Sequence, residues 1–143
     1  MKLHHIGVVV KDIHESAKTY ERLLGLKVVE DTGEDPVQKV KAIFLGLGWG
    51  DEITLELLEP TDPDSPIGNA LRRGGGLHHL CFEVEDIDKE IRKIKKRGGR
   101  VVCEPVPACG FDNRRIAFIF PVDNILIELV EKESSKWPCL NSA

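Results

Sequence analysis

The chain carries one pattern twice. Leu3-His4-His5 leads into Val10-Lys11-Asp12-Ile13, and 74 residues later Leu77-His78-His79 leads into Val84-Glu85-Asp86-Ile87. The same offset relates Gly25 to Gly99 and Val28 to Val102. A second echo closes each copy: Leu55-Glu56-Leu57-Leu58-Glu59 against Ile127-Glu128-Leu129-Val130-Glu131, at an offset of 72. A repeat of this kind restricts the chain to two similar modules, each one supersecondary unit. Each module opens near a histidine and closes near a glutamate. A pseudo-twofold relation between them brings two His and two Glu to one place.

Local signals give each module the same element order. In the first, a Val- and Ile-rich strand over 3–10 precedes Asp12, a helix N-cap with Glu15 as its capping-box partner. Ile13, Ala17, Tyr20 and Leu24 form the buried helix face, and Gly25 ends the helix. Strands follow near 26–31, 39–46 and 52–59, with Gly46, Gly48 and Gly50 at the last turn. In the second, a strand over 77–84 precedes a helix capped by Asp86, with Ile87, Ile91 and Ile94 on its buried face. Gly98-Gly99 stop that helix. Strands follow near 100–104, 114–120 and 125–131, and Pro121, Asp123 and Asn124 supply the last turn.

The expected organisation is one domain over 1–132, made of modules at about 1–60 and 76–132. A linker over 61–75 carries a short helix at 66–73, with Ser65 as cap and Pro66 at the first helical position. Residues 133–143 form a tail. The class is α+β: two tandem βαββ(β) modules forming a curved eight-stranded cleft.

Side chains alternate between the faces of a strand. The apolar partners place His4, Ile6, Val8 and Val10 toward the helix, leaving His5, Gly7 and Val9 for the cleft. His78, Leu80, Phe82 and Val84 likewise leave His79, Cys81 and Glu83. Ile53, Leu55 and Leu57 leave Thr54, Glu56 and Leu58, and Ile125, Ile127 and Leu129 leave Leu126, Glu128 and Val130. Alternation therefore selects His5, Glu56, His79 and Glu128 as metal ligands. His4 and His78 are read as core-edge histidines, and Cys81 as a small buried hydrophobe. Two neutral imidazoles and two carboxylates suit a divalent ion such as Co, Ni, Mn or Zn. At six-coordination they leave two positions for oxygens of a substrate or water.

Composition excludes other classes. A net charge of -4 gives no polyanion-binding signal, so no nucleic acid is expected. Apolar runs fall far short of a membrane span. The four cysteines, Cys81, Cys103, Cys109 and Cys139, lack zinc-knuckle spacing. They read as reduced thiols, and with no leader pattern the expected compartment is cytoplasmic.

The paired modules with His5, Glu56, His79 and Glu128 resemble the vicinal oxygen chelate superfamily, which includes glyoxalase I, extradiol dioxygenases and fosfomycin resistance proteins. Within it the chain is most similar to the methylmalonyl-CoA epimerase family, over residues 3–131. The most specific stretches are Ile53-Thr-Leu-Glu56-Leu-Leu-Glu-Pro60, Asp64-Ser-Pro-Ile67 and Gly75-Gly-Leu-His-His79. The resemblance implies His5, His79 and Glu128 as ligands, with Glu56 where the family uses Gln or Glu. It also implies a homodimer acting on an acyl-CoA or related thioester. The reaction it implies is a 1,1-proton transfer through an enolate, and Glu56 and Glu128, related by the repeat, are expected to double as ligands and bases. The family commonly carries Gly-X-His-Gly and His-Pro-Lys segments. Here those places hold Cys109-Gly110-Phe111-Asp112-Asn113 and Phe120-Pro121-Val122. Some members place a glutamate base where Ala42 stands. The alternatives are glyoxalase I, another metalloenzyme of the superfamily, and a metal-free binding protein of the bleomycin-resistance type.

Overall fold

The computed structural model describes residues 1–108 and 111–133. Cys109, Gly110, Cys139 and the expected tail from residue 134 onward lie outside the described residues. The elements run β1 (Lys2–Val9), α1 (Ile13–Leu24), β2 (Lys27–Asp35), β3 (Val40–Gly46), β4 (Thr54–Pro60), α2 (Gly68–Arg72), β5 (Gly76–Val84), α3 (Ile87–Lys96), β6 (Val101–Pro107), β7 (Arg115–Val122) and β8 (Ile125–Glu131). The β-α-β-β-β order occurs twice, as the repeat requires.

All eight strands form one curved sheet in the order β2-β3-β4-β1-β5-β8-β7-β6. The order is its own mirror image about the β1–β5 seam. The two first strands pair antiparallel there, within one chain. In each module the first strand runs parallel to the last, β1 with β4 and β5 with β8. That parallel pairing needs a crossover, which the helix and intervening hairpin supply.

Helices α1 and α3 cover one face of the sheet. Ile13, Ile43, Leu45 and Leu57 pack with Ala17 and Tyr20 under α1. Val84, Ile87, Ile91, Ala117, Ile119 and Leu129 form the matching cluster under α3. Two clusters lie on the opposite, cleft face: Val9, Val40, Leu58 and Ile67 in one module, and Cys81, Ala108, Ile116 and Val130 in the other. Among the described residues no helix is long and apolar enough to cross a membrane.

Several local expectations are corrected. Leu24, in the last turn of α1 before Gly25, is 63% exposed. Ile53 precedes β4 and is also exposed. The linker helix is only Gly68–Arg72, with no side-chain cap; Ser65 Oγ is buried without a hydrogen-bond partner. Pro121 lies within β7, so Asp123 and Asn124 alone make the β7–β8 turn, both at positive φ (52° and 64°), as a tight hairpin demands.

The capping box at α1 does not form either. Asp12 accepts from His14 N and Glu15 N, but the Glu15 carboxylate turns out to Lys18, 3.1 Å away. The free N–H of Ile13 donates instead to Glu59 Oε2 at 2.8 Å. The second module repeats this with Ile87 N donating to Glu131 Oε1 at 3.2 Å. The last glutamate of each echo therefore ties the end of a module's final strand to the start of its helix. A carboxylate at a helix N-terminus also meets the favourable end of the helix dipole.

Candidate metal centre

The four central strands, β4, β1, β5 and β8, each deliver one residue to the middle of the cleft: Glu56, His5, His79 and Glu128. The register explains the meeting. Gly7 of β1 lies opposite both Glu56 and His79, and Cys81 of β5 lies opposite both His5 and Glu128. Each small residue leaves room for an imidazole reaching across from the neighbouring first strand. At Gly7 the room is fully used, since a Cβ there would stand 2.1 Å from His79 Cε1.

All four predicted ligands are buried, at 0% exposure for His5 and 7% or less for the others. His5 Nε2 lies 3.2 Å from Glu56 Oε2 and 3.4 Å from Glu128 Oε2. His79 Nε2 lies 3.0 Å and 3.2 Å from the same oxygens. The two Nε2 atoms are 3.1 Å apart. Donor atoms bound about 2.0–2.2 Å from a shared ion stand roughly 3.0–3.4 Å apart along the edges of its coordination polyhedron. Protons alone fit this arrangement poorly. If each Nε2 carries a proton for the carboxylates, two N–H groups face each other across the Nε2–Nε2 contact. A cation at the shared point would satisfy all of these contacts, and the mixed imidazole and carboxylate donor set fits a divalent ion.

Without an ion, the two carboxylates favour protons on the imidazoles. Burial disfavours charge on His5 and His79, but their hydrogen bonds to Glu128 and Glu56 outweigh it. His5 is raised above the ordinary histidine value and His79 is raised to about 10. Burial would raise both carboxyls, yet the two histidines hold Glu56 low and Glu128 at about 2. Cys81 is fully buried, and burial, then the two carboxylates, push its thiol far up. It is a packed thiol beneath the site, without the character of a base.

The structure corrects the reading of His4 and His78. The β1–β5 register slips by one residue twice: Leu3 pairs with Phe82 but His5 with Cys81, and Gly7 pairs with His79 but Val8 with Leu77. His4 and His78 are the extra residues of two bulges, related by the 74-residue repeat. A bulge turns consecutive side chains toward the same face. His4 Nδ1 therefore lies 2.8 Å from His5 Nδ1, and His78 Nδ1 lies 2.9 Å from His79 Nδ1. Phe111 also escaped sequence reading. It stacks on the His5 ring, with centroids 5.8 Å apart and planes at 13°, and its edge meets Phe44 and His4.

A cavity of about 520 Å³ opens over the centre. Glu56, His78, His79 and Glu128 lie in its wall, among Val40, Ala42, Phe44, Leu58, Phe111, Ile116, Phe118 and Leu126. The β2–β3 hairpin, residues 32–38, forms one side. Ala42 offers this cavity only a methyl group. No lysine or arginine lines it among the described residues.

Over residues 4–118 the chain matches the Glyoxalase/Bleomycin resistance protein/Dioxygenase superfamily, and it belongs to that superfamily. The more particular likeness is to epimerases. The chain is 34% identical over 132 residues to the ethylmalonyl-CoA/methylmalonyl-CoA epimerase of Cereibacter sphaeroides, covering 90% of this chain and 96% of that one. It is 33% identical over 132 residues to the mitochondrial methylmalonyl-CoA epimerase of Homo sapiens, covering 90% and 72%. Among solved structures, the methylmalonyl-CoA epimerase of Mycobacterium tuberculosis superposes with a TM-score of 0.82 at 31% identity, covering 93% of this chain and 89% of that one. A Streptomyces coelicolor methylmalonyl-CoA epimerase variant in complex with 2-nitronate-propionyl-CoA superposes at 0.80 with 30% identity, covering 94% and 99%.

Proposed function

We propose that this chain is a metal-dependent epimerase that interconverts (2R)- and (2S)-methylmalonyl-CoA. The observation that carries the proposal is the meeting of both His/Glu half-sites at one buried point beneath a mostly apolar cavity. The relatives named above support the choice of substrate.

His5, Glu56, His79 and Glu128 hold the ion, which is Co, Ni, Mn or Zn. When bound, it supplies a Lewis acid that stabilises the negative charge developing on the substrate oxygens. The chain's own residues do the rest. Epimerisation removes the α proton from one face of the substrate and returns a proton to the other. It therefore needs a group able to carry a proton on each side of a planar enolate. Glu56 and Glu128 come from β4 and β8, the strands flanking the two histidine strands, and both reach the cavity. We assign them these two roles. Ala42 lines the cavity but cannot take a proton, so that position supplies no base. The apolar walls exclude water and strengthen the electrostatic interactions within the site. The enzyme works as a homodimer in this proposal, with each cavity built by one chain.

The test is proton NMR in D2O with protein reconstituted with cobalt, on methylmalonyl-CoA and, in parallel, on methylglyoxal with glutathione. Deuterium entering the α position of methylmalonyl-CoA, with the glutathione adduct unchanged, is the expected result. Turnover of the glutathione adduct alone would replace the epimerase with a glyoxalase I. Neither reaction, with no metal retained, would leave a metal-free binding protein.

A further inference from the structure

We propose that His4 and His78 are positioning residues that hold the two ligand imidazoles, His5 and His79, by their Nδ1 atoms. The inference rests on the metal-centre reading above and concerns the layer behind the ligands.

The Nε2 atoms of His5 and His79 point into the quartet. Each imidazole then has one nitrogen left, Nδ1, and a neutral ring that ligates through Nε2 carries its proton there. That N–H needs an acceptor. His4 Nδ1 stands 2.8 Å from it in the first half-site, and His78 Nδ1 stands 2.9 Å from it in the second. The neighbouring ring must then be neutral, with its own proton on Nε2. Each ring pair is nearly perpendicular, at 76° and 86°, with centroids 5.1 Å and 5.2 Å apart.

Two features separate this from accidental packing. The same atoms make the same contact at positions related by the internal repeat. Each contact also exists only because a bulge interrupts the β1–β5 ladder at that residue. On an unbroken strand His4 and His78 would face the helices. The bulges are what turn them toward the ligands.

The choice of acceptor has a chemical consequence. A ligand histidine usually donates to a carboxylate, a backbone carbonyl or water. A carboxylate would push negative charge through the ring onto the ion. A neutral imidazole fixes the ring's angle and tautomer with less donation, and leaves more of the ion's charge for the substrate oxygens. The two supports differ in surroundings: His4 lies against Phe111, with centroids 6.0 Å apart, whereas His78 lines the cavity.

The test compares His4→Phe and His78→Phe, which keep a ring without the acceptor, with His4→Asn and His78→Asn, whose Oδ1 can replace Nδ1. Cobalt affinity is read by competition with a chelator, and folding by circular dichroism. The Phe variants should each lose about 10–100-fold in affinity, the usual loss when a support behind a ligand is removed. The Asn variants should stay within about threefold of native. Long-range proton–nitrogen NMR on the zinc-loaded native protein should place protons on Nδ1 of His5 and His79 and on Nε2 of His4 and His78. Folded Phe variants that bind cobalt like the native protein overturn the inference, as do Asn variants no better than Phe. The opposite tautomers in the native protein also overturn it, whether or not any variant folds. A native protein that takes up no cobalt overturns the metal-centre reading as well.

Discussion

Gly7→Ala adds one methyl group at the narrowest point of the centre. The added Cβ would stand 2.1 Å from His79 Cε1, 2.3 Å from Nδ1 and 2.5 Å from Nε2. Non-bonded carbons settle at about 3.5 Å, so the ring would have to retreat by roughly 1.4 Å. Coordination distances tolerate only about 0.2 Å. The His5 and His78 rings flank it with centroids 5.2 Å away and Glu56 meets its Nε2 at 3.0 Å, so the ring can retreat only toward the cavity, away from the other three donors. Either His79 leaves the quartet or β1 and β5 separate. The first removes a ligand and lowers metal affinity by more than about 100-fold, the upper end for losing a mere support. The second is overpacking, at about 1–3 kcal/mol of stability. Cobalt competition and thermal melting of the metal-free protein distinguish the two. Cys81→Ala, at the symmetry-related position, is the control, since it removes volume without moving a ligand. A Gly7→Ala protein that binds cobalt within about threefold of native, roughly 0.65 kcal/mol, and melts with it refutes the placement of His79.

Glu56→Gln and Glu128→Gln keep an oxygen ligand but lose basicity. Turnover should fall by a factor on the order of 100 to 10,000 with metal retained, each variant still exchanging the α proton of one enantiomer in D2O; full-rate epimerisation by Glu56→Gln would make that residue a ligand only. With His5 and His79 held above the ordinary histidine value, an ion binding at pH 7 should displace roughly one to two protons, read by calorimetry in two buffers. Release of none would contradict the raised values. In the metal-free protein, His79 contributes stability that is full below 6.5 and lost as pH rises through about 10, while Glu128 contributes stability that is full above 4.5 and lost as pH falls through about 2. Melting in the presence of chelator should therefore be highest between those two limits. Glu131→Ala removes the acceptor of Ile87 N, leaving the Asp86 cap of α3 in place, and both Arg115 contacts at 2.9 Å, and should cost about 1–3 kcal/mol. Glu59→Ala removes only the acceptor of Ile13 N, leaving the Asp12 cap of α1 in place, and should cost about 1 kcal/mol in denaturant titrations.

The meeting of the four residues was legible because the repeat and the period of a strand are both properties of sequence. His5, Glu56, His79 and Glu128 follow from counting and alternation, and the structure brings all four together. What escaped depends on partners distant in sequence. Alternation assumes an unbroken ladder, and the bulges at His4 and His78 arise from how β1 and β5 register against each other. The local capping signal at Glu15 is real, but Glu59 reaches Ile13 N from 46 residues away. Phe111 sits in a loop without periodicity, and only the closure of the second module brings it over His5. Leu24 fits the helical period yet is exposed in the last turn of its helix.

The β1–β5 seam lies within a single polypeptide, and this frees the two halves from identity. Were the centre assembled from two copies of one module, every residue on one side would be forced to recur on the other. Here Gly7 can answer Cys81, and one half can present His78 to the cavity while the other seats His4 against Phe111. A substrate with a stereogenic carbon meets two chemically different walls. The duplicated framework supplies a matched pair of carboxylates, and divergence between its copies supplies the handedness needed to orient one substrate between them.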